Sequence, residues 1–348
     1  MKPFPRKLMS VVLALTMLLT VFSVAAFAAT RDNVRSYKVY TSLGDSIAAG
    51  FSMPDYKKKA GNKYCLGKTR IEGSYPALVA DDLKVQKFFP LASPGFRSNE
   101  LRFLLCNDYD SDYVTRKWVQ ALSHIEENTY EGLINQRSEY QSAVASSDIL
   151  TLDIGLNDTW LPVMGAIQEI IYNGNPKDSV IEMAADGAAA VDEGYSLDDL
   201  KHDLGIIVNS PRHFNKLIGA AGTILTLSDY LPNYEAIVKR IFELNPNTTV
   251  VALSTYNPFR DWPEEWAPKL ADAAQKVLYS KMNDQKAQLH EKYGDKFLVA
   301  DINDVPPLRH DSYAKVSAAG GLANWDPHPT EVGHRYIEEQ ILKVLPTA

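Results

Sequence analysis

Five short apolar runs constrain this chain more than any other feature. Ser36–Leu43, Val85–Leu91, Ile149–Ile154, Thr248–Ser254 and Lys296–Ile302 are rich in β-branched or aromatic residues, and each is followed by turn residues. Between the later runs the pattern turns helical. Leu270, Ala274, Val277, Leu278, Met282 and Leu289 form a stripe at helical spacing. A last helix is expected after Pro329-Thr330, with Thr330 as its N-cap, burying Val332, Ile337, Ile341, Val344 and Leu345. Strands alternating with helices predict a parallel sheet covered on both faces, an α/β fold.

Residues 160–240 break the alternation. Helix-like runs at Met164–Tyr172, Val180–Val191 and His213–Leu227 are mixed with Gly, Asn and Pro. The stretch is longer than an ordinary crossover. It reads as a helical insertion lying over the sheet edge, its apolar residues serving internal packing. No internal repeat or low-complexity tract is visible.

The N-terminus carries Lys2, Arg6 and Lys7, then an apolar run from Leu8 to Ala28 that ends in Ala26-Phe27-Ala28. A basic start, an apolar core and a small-x-small site describe a secretory signal peptide cleaved after Ala28. The competing reading is a membrane anchor, because the run is long enough to span. With cleavage, residues 29–348 form one domain with its insertion at about 160–240, secreted and without a membrane span. The formal charge of −7 becomes three units more negative. An acidic chain repels phosphate backbones, so nucleic acid is not an expected partner.

Four motifs fall in the loops that follow strand-like runs. Gly44-Asp45-Ser46 follows the first, and Ala92-Ser93-Pro94-Gly95-Phe96 follows the second. Gly155-Leu156-Asn157-Asp158 follows the third, and Asp326-Pro327-His328-Pro329 lies near the C-terminus. In open α/β sheets the C-terminal edge of the strands holds the ligand crevice. The four supply a hydroxyl, backbone and amide donors, and an imidazole, which is the inventory of acyl transfer to water.

Ser46 is the candidate nucleophile, expected at a helix N-terminus formed by Ile47-Ala48-Ala49-Gly50. Taken alone, it reads equally as an N-cap serine. Gly95 offers an unshielded backbone N–H and Asn157 a side-chain amide, both suited to a developing oxyanion, and both also ordinary turn residues. Of histidines 124, 202, 213, 290, 310, 328 and 334, only His328 sits between two prolines with an acid two residues earlier. It is the candidate base, and Asp326 can orient it. His334 falls within the final helix and is expected to pack or to face solvent. Cys65 and Cys106 read either as a disulfide, worth about 4 kcal/mol of chain entropy, or as two free thiols.

These blocks resemble those of the SGNH hydrolases, the GDSL esterase/lipase family, from Tyr40 to about Tyr336 with the insertion unmatched. The resemblance implies a three-layer, flavodoxin-like fold with a five-stranded parallel sheet and no metal or organic cofactor. It places the family nucleophile on Ser46, the base on His328, and the oxyanion hole on the Ser46 N–H, Gly95 and Asn157. The family acid falls three residues before the histidine, where this chain has Trp325. Either Asp326 or the Trp325 carbonyl then holds the imidazole. Cys65-Leu66-Gly67 and Gly73-Ser74-Tyr75-Pro76-Ala77-Leu78 resemble secreted actinobacterial members.

The function implied is a secreted serine ester hydrolase, an esterase or lipase, acting on small-molecule, lipid or glycan esters. Phe51, Tyr256, Phe259 and Trp262 suit an acyl chain and equally a sugar. A carbohydrate O-acetylesterase is therefore the alternative, and a catalytically silent glycan- or lipid-binding protein the rival from another class. No HExxH, CxxC, GxGxxG or Walker pattern occurs.

Overall fold

The computed structural model describes residues 36–51, 53–60, 68–107, 130–159, 222, 224–258, 260, 267–305 and 328–347. The expected signal peptide, Cys65, Trp325, Asp326, Phe259, Trp262 and residues 160–221 lie outside the described residues.

Five strands form one all-parallel sheet: β1 (Val39–Gly44), β2 (Lys87–Ala92), β3 (Ile149–Asp153), β4 (Thr249–Leu253) and β5 (Phe297–Ala300). β3, β4 and β5 lie inside their predicted runs, and β1 and β2 each extend one residue beyond theirs, to Gly44 and Ala92. Every residue of β3 and β4 is buried. That is why these segments read as continuous apolar stretches without alternation. The spatial order is β2-β1-β3-β4-β5, the flavodoxin-like arrangement. Connections leave β1 toward one edge and β3 toward the other, so the crevice opens at the C-terminal ends of β1 and β3.

Helices α1 (Pro54–Ala60) and α2 (Tyr75–Asp82) follow β1, and α3 (Ser98–Leu105) and α4 (Tyr130–Ser146) follow β2. Helix α5 (Tyr230–Leu244) is the crossover segment that delivers the chain to β4. It packs on α3 and α4, so residues 230–240 belong to this layer. After β4, α6 (Ala267–Ala274) runs through a π-helical turn (Gln275–Tyr279) into α7 (Ser280–Tyr293). Helix α8 (Glu331–Val344) closes the chain against α2 and β5. A continuous apolar core between the layers includes Tyr40, Leu43, Leu150, Leu152, Val250 and Ile341.

Thr330 caps α8, its hydroxyl accepting from the Gly333 N–H at 3.3 Å. Ile337, Ile341 and Leu345 are buried as expected, but Val332 is 65% exposed. Val332 lies in the first turn of the helix, beyond the reach of the core, and the apolar pattern alone does not reveal where the buried stripe begins. The stripe through α6 and α7 holds at Ala274, Leu278, Met282 and Leu289. Tyr256 belongs to the core at 3% exposure, which removes it from the residues available to stack on a ligand.

Candidate active site

The register of the sheet sets three loops side by side. Gly44, the last residue of β1, pairs with Ala92 on one flank and with Asp153 on the other. The loops carrying Ser46, Gly95 and Asn157 therefore leave neighbouring strand ends. Gly44 is required by close approach: a Cβ there would lie 2.4 Å from the Asp153 carbonyl oxygen and 2.7 Å from Ala48 Cβ. Two backbone bonds tie the loops together at their roots. The Asp45 N–H donates to the Asp153 carbonyl (3.2 Å) and the Ser93 N–H to the Gly44 carbonyl (3.1 Å).

Ser46 is half-buried in a run of tight turns, not at the head of a regular helix as expected. The Asp45 carboxyl accepts from the Ile47 N–H at 3.0 Å, in the manner of an N-cap, and so satisfies a donor that a first turn leaves without a backbone partner. The Ala49 N–H reaches the Asp45 carbonyl (2.9 Å), and the Phe51 N–H closes the segment on the Ser46 carbonyl (2.9 Å). Regular helix begins only at Pro54.

His328 reaches the same turn from the far end of the chain. Its ring centroid lies 4.8 Å from that of Phe51, tilted by 46°. Phe51 in turn meets Tyr56 of α1 edge-on at 5.2 Å. His328 is 9% exposed. Among the described residues no hydrogen bond joins it to Ser46. Such bonds often tighten only when substrate is bound.

Gly95 has φ of 80°, a left-handed conformation in which a side chain would be strained. The neighbouring Phe96 carbonyl accepts from Asn157 Nδ2 at 2.9 Å. Asn157 is 6% exposed and opens a single 3-10 turn, Asn157–Thr159. Donation to a carbonyl fixes which amide atom is nitrogen, and it leaves the second Nδ2 hydrogen for another acceptor. Asp158 completes the junction: its two oxygens accept from the Ser98 N–H (2.9 Å) and hydroxyl (2.5 Å). Arg97 and Glu100 pair in a buried ion pair (2.5 Å), and Glu100 also accepts from the Arg97 N–H.

His334 is fully buried, and its Nδ1 accepts from the Tyr75 N–H (3.2 Å). An acceptor Nδ1 fixes the neutral ring with its proton on Nε2. His334 thus packs, one of the two places expected for it. Cys106 is buried just past α3, its Sγ 3.9 Å from the Ala236 carbonyl.

The ground beneath these loops is charged. Burial pushes the Asp45 carboxyl well above the carboxylate range, and nearby Asp153 pushes it further. Burial raises Asp153 to about 6, against the pull of Lys286 and of the Tyr75 hydroxyl, 3.3 Å away. Burial likewise raises Asp158 to about 7, against its two bonds from Ser98. Lys286, on α7, is 1% exposed; its ammonium donates to Thr255 Oγ1 at 2.5 Å and lies 5.6 Å over the Tyr234 ring. Burial lowers it to about 7, opposed by Asp153. Sequence reasoning passed over this residue, although it falls on the α7 stripe between Met282 and Leu289. It also passed over the Ser98–Asp158 junction, for which no spacing rule exists. Among the described residues no three His, Cys, Asp or Glu side chains are grouped to hold a metal ion.

An open, doubly wound α/β sheet with these loops at its switch point defines a flavodoxin-like scaffold. The chain belongs to the GDSL-like lipase/acylhydrolase family, whose model matches residues 42–336, and it is an ester hydrolase. Among curated proteins none matches the sequence. Of solved structures, it is similar to the extracellular lipase of Streptomyces rimosus. That pair shares 16% identity over 89% of this chain and 100% of that one, with a TM-score of 0.44. Phospholipase A1 from Streptomyces albidoflavus NA297 is similar at 15% identity over 89% and 100%, with a TM-score of 0.46. A Clostridium thermocellum family 3 carbohydrate esterase aligns at 13% identity over 88% and 94%, with a TM-score of 0.33. Among the described residues no helix is long and apolar enough to cross a membrane.

Proposed function

We propose that this ester hydrolase works through a Ser46 acyl-enzyme with His328 as general base. The observation that carries the reading is the shared turn: His328 packs on Phe51, and the Phe51 N–H is bonded to the Ser46 carbonyl. Ser46 Oγ attacks the ester carbonyl carbon while its proton passes to the His328 ring. The oxyanion accepts from the Ser46 and Gly95 N–H groups and from the free Asn157 Nδ2 hydrogen. The intermediate collapses, and the leaving alcohol takes the proton from His328. Water then adds to the acyl-enzyme, giving its proton to His328, and the carboxylic acid departs as that proton returns to Ser46.

The rest of the reading belongs to the same proposal. Asp326 or the Trp325 carbonyl orients His328. Residues 1–28 are a cleaved leader, and 29–348 a single secreted domain with its insertion from about residue 160. An ester of an acyl chain is the leading substrate and an acetylated sugar the alternative, and the burial of Tyr256 removes one aromatic face from both. The test is hydrolysis of p-nitrophenyl acetate, butyrate and octanoate. Ser46→Ala and His328→Ala are each expected to lose about 10⁴-fold or more in kcat. Undiminished turnover by Ser46→Ala sinks the reading.

A further inference from the structure

We infer that Asp158 is a positioning residue, and that it sets the oxyanion geometry by locking the Gly95 loop to the Asn157 turn. The inference rests on the reading of Gly95 and Asn157 given above. Two adjacent residues of one 3-10 turn grip the same loop from two sides. Asn157 holds the Phe96 carbonyl at 2.9 Å, and Asp158 holds the Ser98 N–H and hydroxyl at 2.9 and 2.5 Å. Gly95 lies just before the first grip. Without the second, loop 93–98 keeps a single bond to the Asn157 turn, and that bond uses the amide that would also bind the oxyanion.

The lock is built as a buried structure and not as a surface contact. Ser98, Asn157 and Asp158 are all buried. Ser98 is the first residue of α3, so the Asp158 carboxyl takes the first N–H of that helix. Asn233 of α5 donates to Ser98 Oγ (3.3 Å) and to Asn99 Oδ1, and accepts from Arg102 (2.9 Å). The Ser98 hydroxyl therefore receives from α5 and gives to Asp158, which orients its proton. The charged and titratable groups facing Asp158 are Arg97 just before α3, Glu100 on α3, Asp45 after β1, and Tyr230 on α5. Arg97 is already engaged by Glu100 through two nitrogens, so the Ser98 bonds are the local donors that hold the Asp158 carboxylate.

The reason for such a lock is mechanical. An oxyanion donor acts only if its hydrogen sits where charge develops, and removing one donor outright costs about 10²–10³-fold in kcat. A donor allowed to drift loses part of that, in kcat more than in KM. Asp158→Ala deletes both bonds, whereas Asp158→Asn keeps an oxygen for the Ser98 N–H. With p-nitrophenyl butyrate, Asp158→Ala is expected to lower kcat about tenfold or more with KM little changed, and Asp158→Asn to recover most of the loss.

The deciding measurement is a double-mutant cycle with Asn157→Ala. If Asp158 acts through the oxyanion site, the two losses couple, and the cost of Asp158→Ala differs clearly between the parent and the Asn157→Ala background. An equal loss on both backgrounds marks a merely structural role and overturns the inference. So does a kcat of Asp158→Ala within twofold of the parent. Should Asp158→Ala not fold, Ser98→Ala removes one of the two bonds and enters the same cycle. Ser46→Ala run in parallel keeps the outcomes apart: an active Ser46→Ala defeats the catalytic reading, while an inactive one beside a fully active Asp158→Ala defeats only the lock.

Discussion

The imidazole of His328 rests on the ring of Phe51, centroid to centroid 4.8 Å, and the backbone of Phe51 closes the turn that begins at Ser46. A residue from the last loop is thereby indexed to the first. Ring contact limits the orientations the imidazole can adopt, and a base works only from a narrow set of them.

Phe51→Ala is expected to free that ring. Its kcat for p-nitrophenyl butyrate should fall roughly 10- to 100-fold, the cost of a small misplacement in an oriented site. Phe51→Tyr keeps the contact and should stay near the parent. Equal activity in Phe51→Ala and Phe51→Tyr would show that the contact does not orient the base.

Gly44→Ala tests the junction of β1 with β3. The new methyl would meet the Asp153 carbonyl at 2.4 Å and Ala48 Cβ at 2.7 Å, and neither is the end of a flexible side chain. We expect a loss of about 3 kcal/mol or more in urea unfolding, or no soluble protein. A midpoint unchanged from the parent would contradict the close approach.

Asp158 and Asp153, raised to about 7 and about 6, hold protons in the folded state that the unfolded chain releases near pH 4. The folded state then binds more protons than the unfolded one, so these groups lower stability as pH rises toward 7. Asp158→Asn, permanently neutral, escapes its share. The Tm of the parent minus that of Asp158→Asn should therefore decline from pH 4 to pH 7 in scanning calorimetry. A difference that grows over this range reverses the sign and defeats the assignment.

Lys286 gives the opposite slope at higher pH. Its folded value of about 7 lies below that of an ordinary lysine near 10.4, so the unfolded chain binds the extra proton in between. Stability of the parent relative to Lys286→Met should rise from pH 7 to pH 10 in urea titrations. A flat difference would mean that the ammonium is not desolvated.

The sheet was legible because its signal is one-dimensional. β3 and β4 are buried on both faces, so Ile149–Ile154 and Thr248–Ser254 stand out as apolar runs whatever lies beside them. Thr330 was legible as a cap because capping is local. Val332 was misplaced because a stripe drawn from spacing does not say which turn reaches the core. The segment after Ser46 stays a run of turns up to Pro54 although the Asp45 side chain caps the Ile47 N–H, so a local cap signal did not say how far a helix would run.

From its amino acids alone the chain declared alternating strands and helices, and loops that end in a hydroxyl, a glycine, an amide and an imidazole. Those features depend on neighbours a few positions away. Which residues meet was settled only by the order of strands, because partners such as Phe51 and His328, Ser98 and Asp158, or Lys286 and Thr255 come from separate elements. Burial then assigned the charges. Leaving water is what raises Asp153 and lowers Lys286, and no pattern of spacing records which side chains the packing will seal.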